Sequence, residues 1–215
     1  MKLSLKYHKI MSVFKRDEKT KKFIVGEYST PEIEYLKNND WVFTEKVDGT
    51  NIRIMWDGKE VIYGGRSDDA QLYTPLIMRL DELFKRMEPR LKFKELFGEE
   101  DTQVCLYGEG YGNKIQAVGG SYIPAGVDFV LFDVQVGGYY LERKNVEEIG
   151  EKFGVKVVPI IGHGTLQEAI EMTKKGFNST WGDFIAEGIV ARPRTEIFTR
   201  KGERVITKVK YRDFK

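Results

Sequence analysis

The chain has 215 residues, of which 41% are hydrophobic and 13% aromatic, enough apolar material for a packed core and too much for a chain that stays disordered. One cysteine, Cys105, excludes an internal disulfide, and with only His8 and His163 beside it no four-ligand thiolate or imidazole zinc site can form. The net charge of +2 hides an uneven layout: residues 1–25 carry eight Lys or Arg against two acids, residues 192–215 carry nine against three, and the stretch between has 18 basic and 28 acidic residues.

Strand signals dominate the chain. Trp41 to Val47 and Ile52 to Trp56 read as strands, and Val61 to Tyr63 follows after the Asp57-Gly58 turn as the return arm of a hairpin. Leu76, Leu80, Leu83, Phe84 and Met87 recur at helical spacing, with Pro75 in the first turn and Pro89 expected to end the run. Val104 to Tyr107 and Phe129 to Val134 are further strands. Val146, Ile149 and Phe153 predict a helix closed by Gly154. Val155 to Ile161 reads as one strand, and the Thr165-x-x-Glu168 capping box opens a helix that stops at Gly176. Phe184 to Ala191 and a closing hairpin from Glu196 to Tyr211, turned near Lys201-Gly202, complete the set.

Strands outnumber helices and several are joined by tight turns, which predicts an α+β fold of largely antiparallel sheets with flanking helices. No repeat or low-complexity linker interrupts residues 1–215, so a single domain is expected. No apolar run approaches the roughly 18 residues of a membrane span and the first ten residues do not make a signal peptide, so a soluble, cytoplasmic protein is expected.

The chemistry concentrates in a few segments. In Thr44-Glu45-Lys46-Val47-Asp48-Gly49-Thr50-Asn51 a lysine leaves a strand into a glycine turn, and alternation sends Lys46 and Asp48 to one face with Val47 on the other. Tyr107-Gly108-Glu109-Gly110 holds a lone carboxylate between glycines. Glu187-Gly188-Ile189-Val190 sets another carboxylate at an apolar strand, and Lys208-Val209-Lys210 places two lysines on one strand face. Any metal must sit on oxygen ligands, which points to magnesium or manganese. Cys105, in an apolar strand, reads as a small core residue. The glycines of 108–112 lack the lysine of a phosphate-binding loop, and the histidines lack the company of a triad.

Taken in chain order, these segments resemble motifs I, III, IV and V of the covalent nucleotidyltransferase superfamily of polynucleotide ligases and mRNA capping enzymes. Phe129 to Val134 is similar to motif IIIa, and Gly65-Arg66-Ser67 to the short arginine motif that follows motif I. Asn51, where DNA ligases and capping enzymes usually have arginine, resembles the ATP-dependent RNA ligases of the phage and RNA-editing type. The fold implied is the ligase adenylation domain.

The resemblance implies that the Lys46 amine attacks the α-phosphate of ATP to give lysyl-AMP and pyrophosphate. AMP then passes to an RNA 5′-phosphate, and a 3′-hydroxyl seals the joint with loss of AMP. An amine of reference pKa ~10.4 is deprotonated in about one molecule in 2,500 at pH 7, so nearby cations have to favour the free amine. Lys208 and Lys210 are expected to supply that field and to offset charge on the α-phosphate in the transition state. Asp48, Glu109 and Glu187 are expected to hold Mg²⁺ or Mn²⁺, or its waters, without touching Lys46.

By the same resemblance, Phe132 stacks on adenine with Val190 closing the other side, Glu45 accepts from the adenine 6-amino group, and Asn51, Arg66 and Glu109 belong to the nucleotide site, the last two contacting ribose. The basic ends are candidates for RNA backbone contacts or, more blandly, solvated surface. A capping-type guanylyltransferase and a nucleotide- or RNA-binding module without turnover are the alternatives. No appended oligonucleotide-binding domain is expected after Lys210. Ready self-adenylylation, sealing of pre-adenylylated 5′ ends and weaker, salt-sensitive use of plain 5′-phosphates follow from that.

Overall fold

The computed structural model of the chain describes residues 5–98 and 102–215. In chain order the strands and helices are β1 (Met11–Ser12), β2 (Phe14–Arg16), β3 (Phe23–Tyr28), α1 (Pro31–Leu36), β4 (Trp41–Lys46), β5 (Thr50–Trp56) and β6 (Val61–Gly64). Then come α2 (Thr74–Leu80), a π-helical turn over Asp81–Lys85, α3 (Met87–Phe97), β7 (Val104–Gly112), α4 (Gly119–Tyr122), β8 (Val127–Val136) and β9 (Tyr139–Tyr140). The last are α5 (Arg143–Phe153), β10 (Lys156–Val157), β11 (Ile160–Gly164), α6 (Leu166–Lys175), β12 (Gly188–Pro193), β13 (Thr207–Lys210) and a 3₁₀ turn over Tyr211–Phe214. The mixed, largely antiparallel α+β class agrees with the sequence expectation.

The described residues gather into two compact units, one from residues up to 7 with 48–158 and the other from 8–47 with 159–215. In the first, β10, β8, β7, β5 and β6 lie side by side in that order, with β9 added to β8; only the β10–β8 pair is parallel. Alternation gives this sheet two different faces. Ile52, Ile54, Trp56, Leu106 and Leu131 point to the side where Leu76 and Leu80 of α2, Phe84, Phe93 of α3 and Phe153 of α5 form the main core. The opposite side carries Met55, Cys105 and Tyr107, with Tyr7, Phe132 and Tyr140 packed around them.

In the second unit the sheet order is β1, β13, β12, β4, β11, antiparallel except for β1 on β13, and β2 and β3 form a separate hairpin. Its core joins Trp41 and Phe43 of β4 to Ile189 and Ala191 of β12, Val209 of β13, and Leu166, Ala169 and Ile170 of α6. The capping box of α6 is formed as expected, Thr165 accepting from the Glu168 amide while Glu168 accepts from that of Thr165. Gly154 closes α5 in the left-handed conformation with φ +66°.

Three expectations need correction. Pro89 does not end a helix: the break falls at Arg86, whose ψ of 163° is extended, and Pro89 lies in the first turn of α3, where its missing amide has no partner to lose. The single strand expected over Val155 to Ile161 is split at Val158-Pro159 into β10 and β11, which serve different sheets. Proline cannot donate to a ladder, and the Pro159 carbonyl instead accepts from the Glu45 amide at 3.1 Å. The closing hairpin is also shifted: β13 pairs with β12, and only an isolated bridge between Phe198 and Arg204 flanks the turn.

Cys105 is fully buried, and burial pushes its thiol up to about 12. The native protein is therefore expected to resist iodoacetamide at pH 8 and to be alkylated only on unfolding, which intact mass measured with and without denaturant checks.

Candidate functional site

The position of Lys46 follows from strand register. Gly188 at the start of β12 lies opposite Lys46 of β4 on one side and Lys210 of β13 on the other, and Val190 lies between Thr44 and Lys208 in the same way. Lys46, Val190, Lys208 and Lys210 therefore share one face of the sheet, while Phe43, Ile189 and Val209 on the alternate positions fill the core. Gly188 has φ +153°, and a Cβ there would run into the Val209 carbonyl, so only glycine lets the three strands close up at this row.

The residue before that glycine connects the two lysines. Glu187 Oε2 accepts from Lys46 Nζ at 2.7 Å, and Glu187 Oε1 lies 2.5 Å from Lys210 Nζ. The carboxylate is 7% exposed and the lysines 19% and 15%, so the pairs sit where water screens weakly. This corrects the expectation that Glu187 stands off from Lys46. The strand register puts both amines within reach of one carboxylate, and leaving either charge unpaired in so dry a place would be costly. Lys208 lies on the same face, so three ammonium groups are gathered there, a concentration of positive charge suited to a bound phosphate.

Glu45 does not share this face. It lies opposite Ile189, is 1% exposed, and its carboxylate accepts from the Ser179 hydroxyl at 2.5 Å, the Thr180 amide at 2.8 Å and the Thr180 hydroxyl at 2.7 Å. Consecutive strand residues point to opposite faces, so a side chain adjacent to Lys46 in sequence is turned away from it. Glu45 ties down the segment between α6 and β12, whose last residue is Glu187. The adenine-reading role expected for it does not match this placement. Glu45→Ala would leave the buried Ser179 hydroxyl without its acceptor and is expected to lower stability by about 2–3 kcal/mol, with Glu45→Gln recovering part, as read by urea denaturation.

In the other unit, Asn51 of β5 lies opposite Glu109 of β7, and Arg53 opposite Tyr107, all on the sheet face that also bears Phe132. A bulge falls at Phe132, because Tyr107 pairs with Asp133 while Gly108 pairs with Leu131. The extra residue re-aims that aromatic side chain. The Tyr7 ring meets Phe132 edge-on at 5.1 Å, and the Tyr7 hydroxyl donates to Asp133 at 2.5 Å. Asp48 donates its amide to the Tyr122 hydroxyl at 3.0 Å.

Arg66 is exposed, on a turn braced from below. Fully buried Arg53 donates to the Gly65 carbonyl at 2.7 Å and to Asp68 at 2.9 Å, holding the residues on both sides of Arg66. Arg53, Ser179, Thr180 and Tyr122 lie outside the sequence motifs. An arginine alternating with core residues in β5 was the available signal for the first, since a buried guanidinium requires partners.

No group of three or more His, Cys, Asp or Glu that could hold a metal ion occurs among the described residues. Magnesium and manganese are commonly held by one or two carboxylates with water and substrate phosphate in place of an all-protein cage. Glu187, Asp48 and Glu109 offer carboxylate oxygens of the right hardness.

The sequence model of the RNA ligase family matches residues 39–210 of the chain. No curated protein matches it. Among solved structures, a lysine-to-alanine variant of the Naegleria gruberi RNA ligase with ATP and Mn is similar at 19% identity and a TM-score of 0.64, over 86% of this chain and 52% of that one. The same ligase with PPi gives 21% identity and 0.64, over 86% and 53%. A glutamate-to-alanine variant with AMP and Mn gives 22% and 0.63, again over 86% and 53%. The chain thus spans about half the length of the structures it matches, and at these identities the likeness speaks to the fold.

Proposed function

The chain belongs to the RNA ligase family, and on that premise we propose that it is an ATP-dependent RNA ligase, or the adenylyltransferase core of one, with Lys46 as the nucleophile. The observation that carries this reading is the Lys46–Glu187–Lys210 cluster, in which the lysine of motif I and the second lysine of motif V share the carboxylate of motif IV.

In the first step the Lys46 nitrogen forms a bond to the α-phosphorus of ATP, the bond to the β-phosphate oxygen breaks, pyrophosphate leaves, and the amine gives up its proton. A protonated amine has no lone pair to attack with, so Lys46 must first lose a proton to solvent, which dissolves its ion pair with Glu187, and the second proton leaves to solvent as the N–P bond forms. Lys210 and Lys208 then face the α-phosphate oxygens, where fixed positive charge is worth most as negative charge develops. Bound magnesium or manganese would add charge neutralisation at the phosphates, with Glu187, Asp48 and Glu109 as its candidate ligands. AMP next passes to an RNA 5′-phosphate, and attack by a 3′-hydroxyl expels it as the phosphodiester forms.

Phe132 is proposed to stack on adenine, with Val190 and Asn51 as further nucleotide-site residues and Arg66 and Glu109 at the ribose. ATP is the proposed nucleotide, in keeping with the ATP and AMP held by the N. gruberi enzyme. Because Glu45 is spent on Ser179 and Thr180, Glu45→Gln is not expected to shift the ratio of ATP to GTP labelling. The deciding experiment incubates the protein with α-labelled ATP or GTP and measures label that survives denaturation. ATP-dependent label supports the ligase, GTP-dependent label a capping-type enzyme, and none a binding module.

A further inference from the structure

The second unit contains a cavity of about 600 Å³ formed by the segment before β1, the entry to α1 and the turn between β12 and β13. The cluster of Lys46, Glu187 and Lys210 sits at one end of the β12–β13 pair, and this cavity opens beyond the other end. From Ile206, in the cavity wall, to Lys210 the strand covers roughly 13 Å at ~3.3 Å per residue. A nucleic-acid strand reaching from one to the other would span a few nucleotides.

The lining has the chemistry of a nucleotide site. Lys9, Arg200 and Lys201 are exposed at its rim and form no ion pair with any described carboxylate, whereas Arg204, also in the lining, is buried and neutralised by Glu196. The acids at the rim are Glu32 and Glu203, so unpaired cations are in excess. Met11, Ile33 and Ile206 supply an apolar wall, and Met11 is 39% exposed. The Ser29 hydroxyl, in the same lining, is buried without a hydrogen-bond partner. A buried hydroxyl in that state is uncommon, and a ribose hydroxyl is one group that would satisfy it. Cations in front, an apolar wall behind and a spare hydroxyl match phosphate, base and sugar together better than they match an acidic peptide.

We propose that this cavity binds a nucleotide of the RNA strand a few residues from the reacting end, with Lys9, Arg200 and Lys201 on its phosphates. The proposal rests on the ligase reading for its substrate, but its test reads binding alone. The triple variant Lys9→Ala, Arg200→Ala, Lys201→Ala changes exposed side chains, and thermal melting verifies that it is folded.

Fluorescence anisotropy with a short 5′-phosphorylated RNA over a salt series should show a log K against log [salt] slope shallower by about 2, at ~0.7 for each phosphate no longer neutralised, and at least about tenfold weaker binding at low salt. Glu203→Lys should do the opposite, tightening binding and steepening the slope. Labelling by ATP should stay within about twofold of wild type in both. Unchanged affinity and slope in the triple variant, or displacement of the RNA by inorganic phosphate at matched ionic strength, would overturn the assignment, the latter in favour of a small-anion site. Absence of lysyl-AMP in the wild-type protein would sink the ligase reading while leaving the RNA-binding result to stand or fall by itself.

Discussion

Lys46→Ala is expected to abolish covalent labelling by ATP while leaving the fold in place. The side chain ends β4 on the face away from the core of its unit and is 19% exposed, so its removal creates no apolar cavity. Glu187 keeps Lys210 as a partner at 2.5 Å, so no buried carboxylate is orphaned. Chemistry, by contrast, loses its only proposed nucleophile. Denaturing-gel labelling with α-labelled ATP, run beside a urea melt, reads the two effects separately. Label on the folded variant at any pH would remove Lys46 from its role.

Glu187→Ala and Lys210→Ala should each slow adenylylation of Lys46 by at least ~10²-fold, the scale of losing one fixed electrostatic contact to a transition state. They should differ in stability. Removing Glu187 leaves two nearly dry ammonium groups without the anion they share, so that variant should also melt lower, and Glu187→Gln should restore stability more than rate. Removing Lys210 leaves the Lys46–Glu187 pair at 2.7 Å and should cost rate with little stability. Single-turnover adenylylation together with melting curves distinguishes these patterns; wild-type rates in both alanine variants would mean that Glu187 and Lys210 do not act on the reaction.

What could be read from the sequence was whatever has a local signature. The helix over Leu166–Lys175 announces itself by its capping box and the end of α5 by Gly154, because caps are set by neighbours in the chain. Lys208 and Lys210 on one strand face follow from alternation alone. The pairing of Lys46 with Glu187 does not, since it depends on the register of strands whose paired residues are more than 140 positions apart. The short strands β1 and β2 carry too few residues for any periodicity. For Glu45 the resemblance pointed to adenine, whereas alternation, by which neighbours in a strand face opposite sides, separates it from Lys46.

Intact-mass and peptide mass spectrometry of the wild-type protein after incubation with ATP and magnesium, with no RNA present, tests the central claim most directly. The expected result is a mass increase of one AMP, lost in acid and retained in base as a phosphoamide should be, reversed by added pyrophosphate, and mapped to the peptide containing Lys46. No adduct, or an AMP adduct on another residue with Lys46 unmodified, would contradict it.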